Sequence, residues 1–194
     1  MEQYHTETIT ETVEPGQRHA GLLRFFLDAL ETILLSIILF AAINTVSARI
    51  RVDGSSMEPT LHNKEFIIVN KLAYKFGKPE IGDVIVFHFP RDPGQEYIKR
   101  VIGLPGDRVV VSDGIVYVND QPLNEDYIAA PPAYQNNWEV PANTLFVLGD
   151  NRNNSSDSHN WGSVPVGYVV GKAIIVYWPP ETWGVITQPS LRGN

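Results

Sequence analysis

Two residues of this chain are the clearest candidates for a chemical role. One is a serine in a tight turn, and the other is a lysine in an apolar strand. Ser56 lies in the segment Gly54-Ser55-Ser56-Met57-Glu58-Pro59, in which glycine permits unusual backbone torsions and proline stiffens the turn. Such a turn can place a hydroxyl and a backbone N–H at one point, as a nucleophile beside an oxyanion hole requires. Ser and Gly are also common in surface turns, so these residues alone favour an ordinary turn.

Lys99 lies between apolar residues in the segment from Tyr97 to Ile102. Strand alternation puts Lys99 and Arg100 on opposite faces, so one of the two cations is predicted to face inward. Burial disfavours the ammonium form and lowers its pKa, and a neutral amine can take the proton of a serine hydroxyl. The ordinary alternative is an edge strand with two solvated charges.

A polar stretch from Gly149 to His159 follows the apolar run Leu145 to Leu148. A solvated loop is the simple interpretation. The functional one is a hydrogen-bonded platform, in which a serine hydroxyl positions the lysine amine and a carboxylate braces the loop.

Histidines compete with Lys99 for the role of base. His62, His88 and His159 are all candidates, and Asp157 with His159 would complete a Ser-His-Asp set. The G-x-S-x-G turn on a parallel sheet, in which that chain order is known, is missing from the sequence, and this weakens the triad without removing it.

Short β-type runs separated by turn signals occupy the rest of the chain. They predict a mainly β, antiparallel domain, with a hairpin across Ser112-Asp113-Gly114 and a long connection over residues 124–143. The predicted strands are Phe66–Val69, Asp83–Phe89, Tyr97–Ile102, Arg108–Val111, Ile115–Val118, Thr144–Leu148 and Gly171–Tyr177.

The change in composition along the chain predicts three parts. They are a disordered polar tail over 1–20, a transmembrane anchor over 21–48, and a β-rich catalytic domain over 49–194. The stretch Ala29 to Ala48 carries one charge, Glu31, and as a helix it matches a bilayer core of about 30 Å. A signal peptide cleaved after Val46-Ser47-Ala48 is the main alternative, and a buried soluble helix is a weaker one. The acidic region upstream is unlike a short basic signal-peptide start, which favours the anchor.

Composition excludes several classes of function. The 194 residues include no cysteine, so disulfides and thiolate metal sites are excluded. The formal net charge of −7 argues against a nucleic-acid partner. The five histidines show no pair at metal-ligand spacing, so neither a metal nor a cofactor is expected.

The three segments, in this order after an apolar segment, resemble the type I signal peptidase family of Ser-Lys dyad serine proteases. The motifs are Ser56-Met57-Glu58-Pro59-Thr60-Leu61, Tyr97 through Asp107, and Gly149-Asp150-Asn151-Arg152 through Ser158. Each motif alone is moderately specific, whereas three in order are highly specific. The resemblance runs from the anchor to about Pro179.

The resemblance implies an antiparallel β fold and a monomeric, membrane-bound endopeptidase that removes signal peptides from exported preproteins after a small residue. It implies a single-pass protein of the cell membrane, with the lipid bilayer as a partner and the catalytic domain outside the cytoplasm. By position, Ser56 is the nucleophile and an oxyanion donor, Lys99 is the base, Ser155 hydrogen-bonds the lysine and Asp157 steadies the site. The implied walls of the substrate pockets are Val52, Leu61, Tyr97 and Ile98.

Two positions depart from the family pattern. Some members have a serine whose hydroxyl helps the oxyanion hole where this chain has Gly54, so any second donor is expected from the backbone. Many members have arginine where this chain has His159, so an ion pair with Asp157 would depend on pH.

Chain length adds a constraint on the site. Eight peptide steps separate Ala48 from Ser56, a reach of at most about 29 Å, so a retained anchor holds Ser56 near the membrane surface. Trp178 and Trp183 are predicted to touch lipid. The rival functions are a self-cleaving repressor-type Ser-Lys protease and a membrane-tethered binding module without catalytic activity.

Overall fold

The structure is a computed structural model that describes residues 15–187, with side chains from residue 21 onward. The predicted disordered tail lies outside the described residues over 1–14. Its last part, residues 15–20, instead begins helix α1 (Pro15–Val46). A proline at the first helical position loses no hydrogen bond and has a suitable φ, so Pro15 starts the helix rather than breaking it.

Helix α1 contains an apolar stretch, Gly21–Val46, whose 26 residues are long and apolar enough to cross a bilayer. Its large apolar side chains are exposed, as in Phe25 at 66% and Phe40 at 64%. The chain divides into two compact units, Met1–Asn44 and Thr45–Asn194. Strand β1 begins at Ser47, directly after the helix, so Ala48 lies in a strand rather than at the end of the predicted anchor.

The second unit consists mainly of short strands. Their bounds are β1 Ser47–Arg51, β2 Phe66–Asn70, β3 Val84–Phe89, β4 Asp92–Gly103, β5 Arg108–Ser112, β6 Ile115–Val118, β7 Gln121–Pro122, β8 Asn136–Glu139, β9 Thr144–Leu148, β10 Val164–Pro165, β11 Val169–Trp178 and β12 Gly184–Val185. Two short α-helices, α2 (Ala73–Phe76) and α3 (Ser158–Trp161), and 3-10 turns at Val166–Tyr168 and Pro180–Thr182 complete the unit.

Within residues 15–187 these strands form an eight-stranded sheet and a four-stranded sheet. The order in the large sheet is β1-β2-β11-β3-β4-β9-β10, with β12 beside β11, and in the small sheet it is β7-β6-β5-β8. Every strand pair is antiparallel. The prediction of a mainly β, antiparallel fold after one amino-terminal helix is confirmed. Strand β8 lies inside the stretch predicted to be a connection.

Strand β4 is covered on both faces, which positions the two cations of the second motif. Val101 packs in one buried cluster with Ile85 and Phe87, and Ile102 packs in another with Val109. Lys99 is 4% exposed and Arg100 is fully buried. Alternation predicts one inward cation, but both are buried because a core cluster lies on each side of the strand.

The chain after β11 folds back onto the core. Ile186 donates its N–H to the carbonyl of Ile174, and its side chain lies in the same buried cluster as Val52, Met57 and Leu61. These three residues surround Ser56 in sequence. The returning segment therefore closes the core beneath the first motif.

Candidate active site

Ser56 and Lys99 meet in the β-rich unit, although 43 positions separate them in sequence. The Lys99 Nζ lies 2.7 Å from the Ser56 Oγ and 2.9 Å from the carbonyl oxygen of Ile98, to which it donates. When the amine is neutral, the serine hydroxyl can donate to its lone pair at this distance. The pair therefore has the geometry of a nucleophile and its base.

The surroundings of Lys99 favour that neutral form. Burial lowers its pKa from 10.5 to about 8, and the carboxylates of Asp157 and Asp150 oppose that shift in part. None of the ion pairs among the described residues includes Lys99. Its Nζ also lies 5.5 Å from the centre of the Tyr97 ring. A buried lysine without a paired carboxylate releases its proton far more readily than a solvated one.

The turn that carries Ser56 is fixed by the third motif. Asn151 donates its backbone N–H to the Ser56 carbonyl at 3.1 Å and its side-chain amide to the Ser55 carbonyl at 3.1 Å. A Cβ atom on Gly149 would lie 2.4 Å from the Ser56 carbonyl oxygen, so only glycine lets the two segments approach this closely. The structure thus brings the first and third motifs into direct contact.

Asp157 holds the third motif together from within. Its buried carboxylate accepts from the backbone N–H of Gly149 at 2.9 Å and from that of His159 at 3.2 Å. The His159 Nδ1 lies 2.6 Å from the same carboxylate, and the imidazole stacks on the Tyr134 ring at 4.2 Å. The expected pairing of His159 with Asp157 is formed.

Ser155 does not make the hydrogen bond expected of it. Its Oγ is buried and has no hydrogen-bond partner among the described residues. The Lys99 amine donates to the Ile98 carbonyl instead, on its own strand. Ser155 lies against Gly149, where a Cβ would come within 2.3 Å of its hydroxyl.

Arg100, on the opposite face of β4, forms a closed ion pair. Its Nε and Nη2 donate to the two carboxylate oxygens of Asp150 at 2.9 and 2.6 Å, and both side chains are fully buried. Nη1 donates to the Gly82 carbonyl at 2.9 Å, and the guanidinium lies 4.2 Å from the centre of the Tyr127 ring. The Arg100 guanidinium has a structural role, because the Asp150 carboxylate, the Gly82 carbonyl and the Tyr127 ring surround it.

A cleft of about 620 Å³ opens at the Ser56–Lys99 pair. Of the predicted pocket walls, Val52, Tyr97 and Ile98 line it. Leu61 is instead fully buried in the core beneath the turn, because the turn places it below the cleft floor. The lining residues that the sequence did not indicate are Ile50, Arg51, Asp53, Ser55, Met57, Gln95, Glu96, Asn154 and Ser156.

Comparison with known proteins gives the family. The sequence profile described as "Signal peptidase, peptidase S26" matches residues 26–178, most of the chain. The chain belongs to this signal peptidase family. The resemblance expected from the three motifs is therefore confirmed, and so is the assignment to serine peptidases.

Two relatives agree with the family match in sequence. Signal peptidase I of Leptolyngbya laminosa is 45% identical over 174 residues, spanning 84% of this chain and 85% of the relative. Probable signal peptidase I-2 of a Synechocystis species is 44% identical over 175 residues, spanning 86% and 80%. A crystal structure of a signal peptidase I from Enterococcus faecalis, 36% identical, covers 50% of this chain and 97% of its own with a TM-score of 0.46.

The histidines of this signal peptidase family member are not placed to serve as its base. The Ser56 hydroxyl is bonded by Lys99, whereas His62 lies beside Glu65 and His159 beside Asp157. His88 Nδ1 is buried without a hydrogen-bond partner among the described residues. Within that part of the chain, His, Asp and Glu side chains form no cluster able to hold a metal ion.

Proposed function

We propose that this chain is a membrane-bound endopeptidase that removes signal peptides from exported preproteins by a Ser56–Lys99 dyad. The observation that carries the proposal is the 2.7 Å contact between the Ser56 hydroxyl and a buried lysine whose pKa falls to about 8. Family membership supports the reaction, and it does not favour the alternative of a binding module without catalytic activity.

The reaction is acyl transfer in two halves. Neutral Lys99 takes the Ser56 proton while the Oγ attacks the scissile carbonyl carbon, and the resulting ammonium gives that proton to the leaving amine as the C–N bond breaks. Water then attacks the acyl-enzyme, with its proton passing to Lys99. Release of the acyl group returns a proton from Lys99 to the Ser56 oxygen.

The oxyanion is stabilised by backbone groups. The Ser56 N–H has no acceptor among the described residues, which leaves it available to donate to the developing charge. Gly54 has no hydroxyl to contribute, and its φ of +100° sets the direction in which the chain enters the turn. The second donor is expected from the backbone.

The cleft suits small side chains near the cleaved bond. Its lining by Val52, Ile98 and the Tyr97 ring is apolar and close to the dyad. We expect specificity for a small residue before the scissile bond, with these three residues forming part of the pocket that receives it.

The apolar helix α1 anchors the chain in the cell membrane as a single span, with the catalytic unit outside the cytoplasm and acting as a monomer. Ser56 follows Val46 by ten peptide steps, a reach of at most about 36 Å. A preprotein whose own apolar segment lies in the same bilayer meets the dyad at high effective concentration. The exposed rings of Trp178 and Trp183, at 53% and 68%, support the predicted contact of the catalytic unit with lipid.

Cleavage of a preprotein by the full-length protein in a bilayer tests the proposal. We expect one cut after a small residue, and a loss of at least about 1,000-fold in kcat/KM for Ser56→Ala and for Lys99→Ala. Ser112→Ala and Lys64→Ala, outside the cleft, are matched controls and should retain wild-type rates. Full activity of Lys99→Ala would exclude the dyad, and the absence of turnover by the wild type would favour a binding module.

A further inference from the structure

The connection after β2 carries the most exposed large apolar side chain in the described part of the protein. Phe76, the last residue of helix α2, is 88% exposed. Three lysines surround it in sequence, Lys71, Lys75 and Lys78, and none of them forms an ion pair with a described residue. We call residues 71–78 the α2 tip. It is a basic and aromatic surface in a chain of net charge −7.

The α2 tip is a fixed element. Tyr74 is half-buried and donates its hydroxyl to Asp83 at 2.8 Å, and Asp83 in turn pairs with Lys172 at 2.7 Å. Gly77 ends the helix by donating its N–H to the Ala73 carbonyl, at a position where a Cβ would come within 2.8 Å of that oxygen. One face of the helix is thus held by the domain, while Lys75 and Phe76 remain exposed.

Strand register brings the α2 tip back to the end of the apolar helix. Strand β1 begins at Ser47, which pairs with Asn70 at the end of β2. Lys71 then donates its N–H at 3.0 Å to the carbonyl of Val46, the last residue of α1 and the second of the β-rich unit. From Lys71 to Phe76 the chain can reach at most about 18 Å. When α1 spans a bilayer, Phe76 stays within this distance of Lys71, which is hydrogen-bonded to the last residue of α1.

We propose that the α2 tip docks on anionic lipid headgroups, with the Phe76 ring inserted at the level of the acyl-chain boundary. An aromatic ring beside lysines is the composition of interfacial membrane contacts. Each lysine near an anionic surface contributes to binding, and three without an acidic partner act together. Charge complementarity and the short reach to Val46 select a lipid surface over a protein partner. The inference rests on membrane anchoring by α1 and not on the catalytic proposal.

Site-specific labelling tests the docking, because the chain has no cysteine of its own. Glu80→Cys, an exposed position just after the tip, is labelled with an environment-sensitive fluorophore in the full-length protein. The protein is reconstituted in nanodiscs of phosphatidylcholine alone or with phosphatidylglycerol, each containing lipid spin-labelled near the headgroup. Glu139→Cys, an exposed acidic position on β8, is the matched control.

We expect strong quenching at position 80 in the anionic bilayers and little at position 139. Phe76→Ser in the Glu80→Cys background should remove most of the quenching. Replacing the three lysines with glutamine should weaken docking on the anionic bilayer by up to about 100-fold. Docking on the phosphatidylcholine bilayer should remain nearly unchanged.

Equal quenching at positions 80 and 139 would overturn the proposal. Shielding of position 80 that depends on protein concentration and not on lipid charge would point to a second copy of the chain, and would also overturn it. Preprotein cleavage by the labelled protein is measured separately, so failure of docking and failure of the catalytic proposal are distinguishable.

Discussion

Lys99 and Arg100 are consecutive residues of one strand, yet they meet opposite environments. Arg100 is fully buried and donates to both carboxylate oxygens of Asp150. Lys99 is 4% exposed, and its nitrogen meets a hydroxyl and a backbone carbonyl rather than a carboxylate. Both side chains are removed from water, but only one has its charge compensated.

The difference separates a structural cation from a reactive one. A buried guanidinium with a bidentate partner keeps its proton under all ordinary conditions. A buried ammonium without such a partner is held at a free-energy cost, and the protein lowers that cost by releasing the proton. The same substitution at the two positions should therefore have opposite effects on stability.

Lys99→Met is expected to have the largest effect, a loss of at least about 1,000-fold in kcat/KM, because the Ser56 proton has no acceptor. The free energy of unfolding of the Lys99→Met protein should instead increase. The folded-state pKa of about 8 lies below 10.5, so the burial cost is complete below about pH 8 and disappears above about pH 10.5. Denaturant unfolding at pH 7 should show a gain of up to about 3 kcal/mol that vanishes near pH 10.5. A destabilised Lys99→Met protein at neutral pH would contradict this comparison.

Arg100→Met should lower the free energy of unfolding by about 3–5 kcal/mol, because it leaves the Asp150 carboxylate buried without a partner. The check is urea unfolding followed by circular dichroism. Removing both charges in Arg100→Met/Asp150→Leu is the matched control, and it should recover much of the loss. If the double variant were as unstable as the single one, packing rather than the uncompensated charge would be the cause.

Asp157→Asn should have the smallest effect, on the pH dependence of the reaction. The acid limb of kcat/KM in the wild type is expected near pH 8, because neutral Lys99 is the active form. The Asp157 carboxylate raises the Lys99 pKa, so its removal should move the limb to lower pH by less than about one unit. The exposed Asp126→Asn is the charge-matched control, and its limb should coincide with that of the wild type. A shift to higher pH would exclude the electrostatic account.

Local sequence signals predicted most of the strands, whereas the Ser56–Lys99 dyad was implied by the resemblance of three ordered motifs to a known family. The runs Arg108–Val111, Ile115–Val118 and Thr144–Leu148 fall within β5, β6 and β9. The environment of each cation was not predictable, because alternation along one strand does not show that a core cluster lies on both of its faces. The Arg100–Asp150 pair spans 50 positions, and no local pattern signals such a contact.

Three further features differ from the sequence-based predictions: strand β1, the cleft residue Ile50 and the contacts of Ser155. The first two residues of strand β1, Ser47 and Ala48, fall inside the predicted anchor, because they follow the apolar run directly and only pairing with β2 decides their conformation. The cleft wall at Ile50 was missed with it. For Ser155, the structure shows a buried hydroxyl without a hydrogen-bond partner among the described residues, while the Lys99 amine contacts Ser56 and the Ile98 carbonyl. For β1 and Ile50, a strand pairing distant in sequence decided the outcome.

The returning segment at Ile186 bears on how the protein is made. Ser56 leaves the ribosome long before Ile186, by roughly ten seconds at ordinary rates of synthesis. During that interval the cluster of Val52, Met57 and Leu61 lacks the side chain that closes it. The nascent chain therefore carries the proposed nucleophile, Ser56, and the proposed base, Lys99, before the core beneath the first motif is complete. The core beneath the first motif is complete only after the segment at Ile186 has been synthesised.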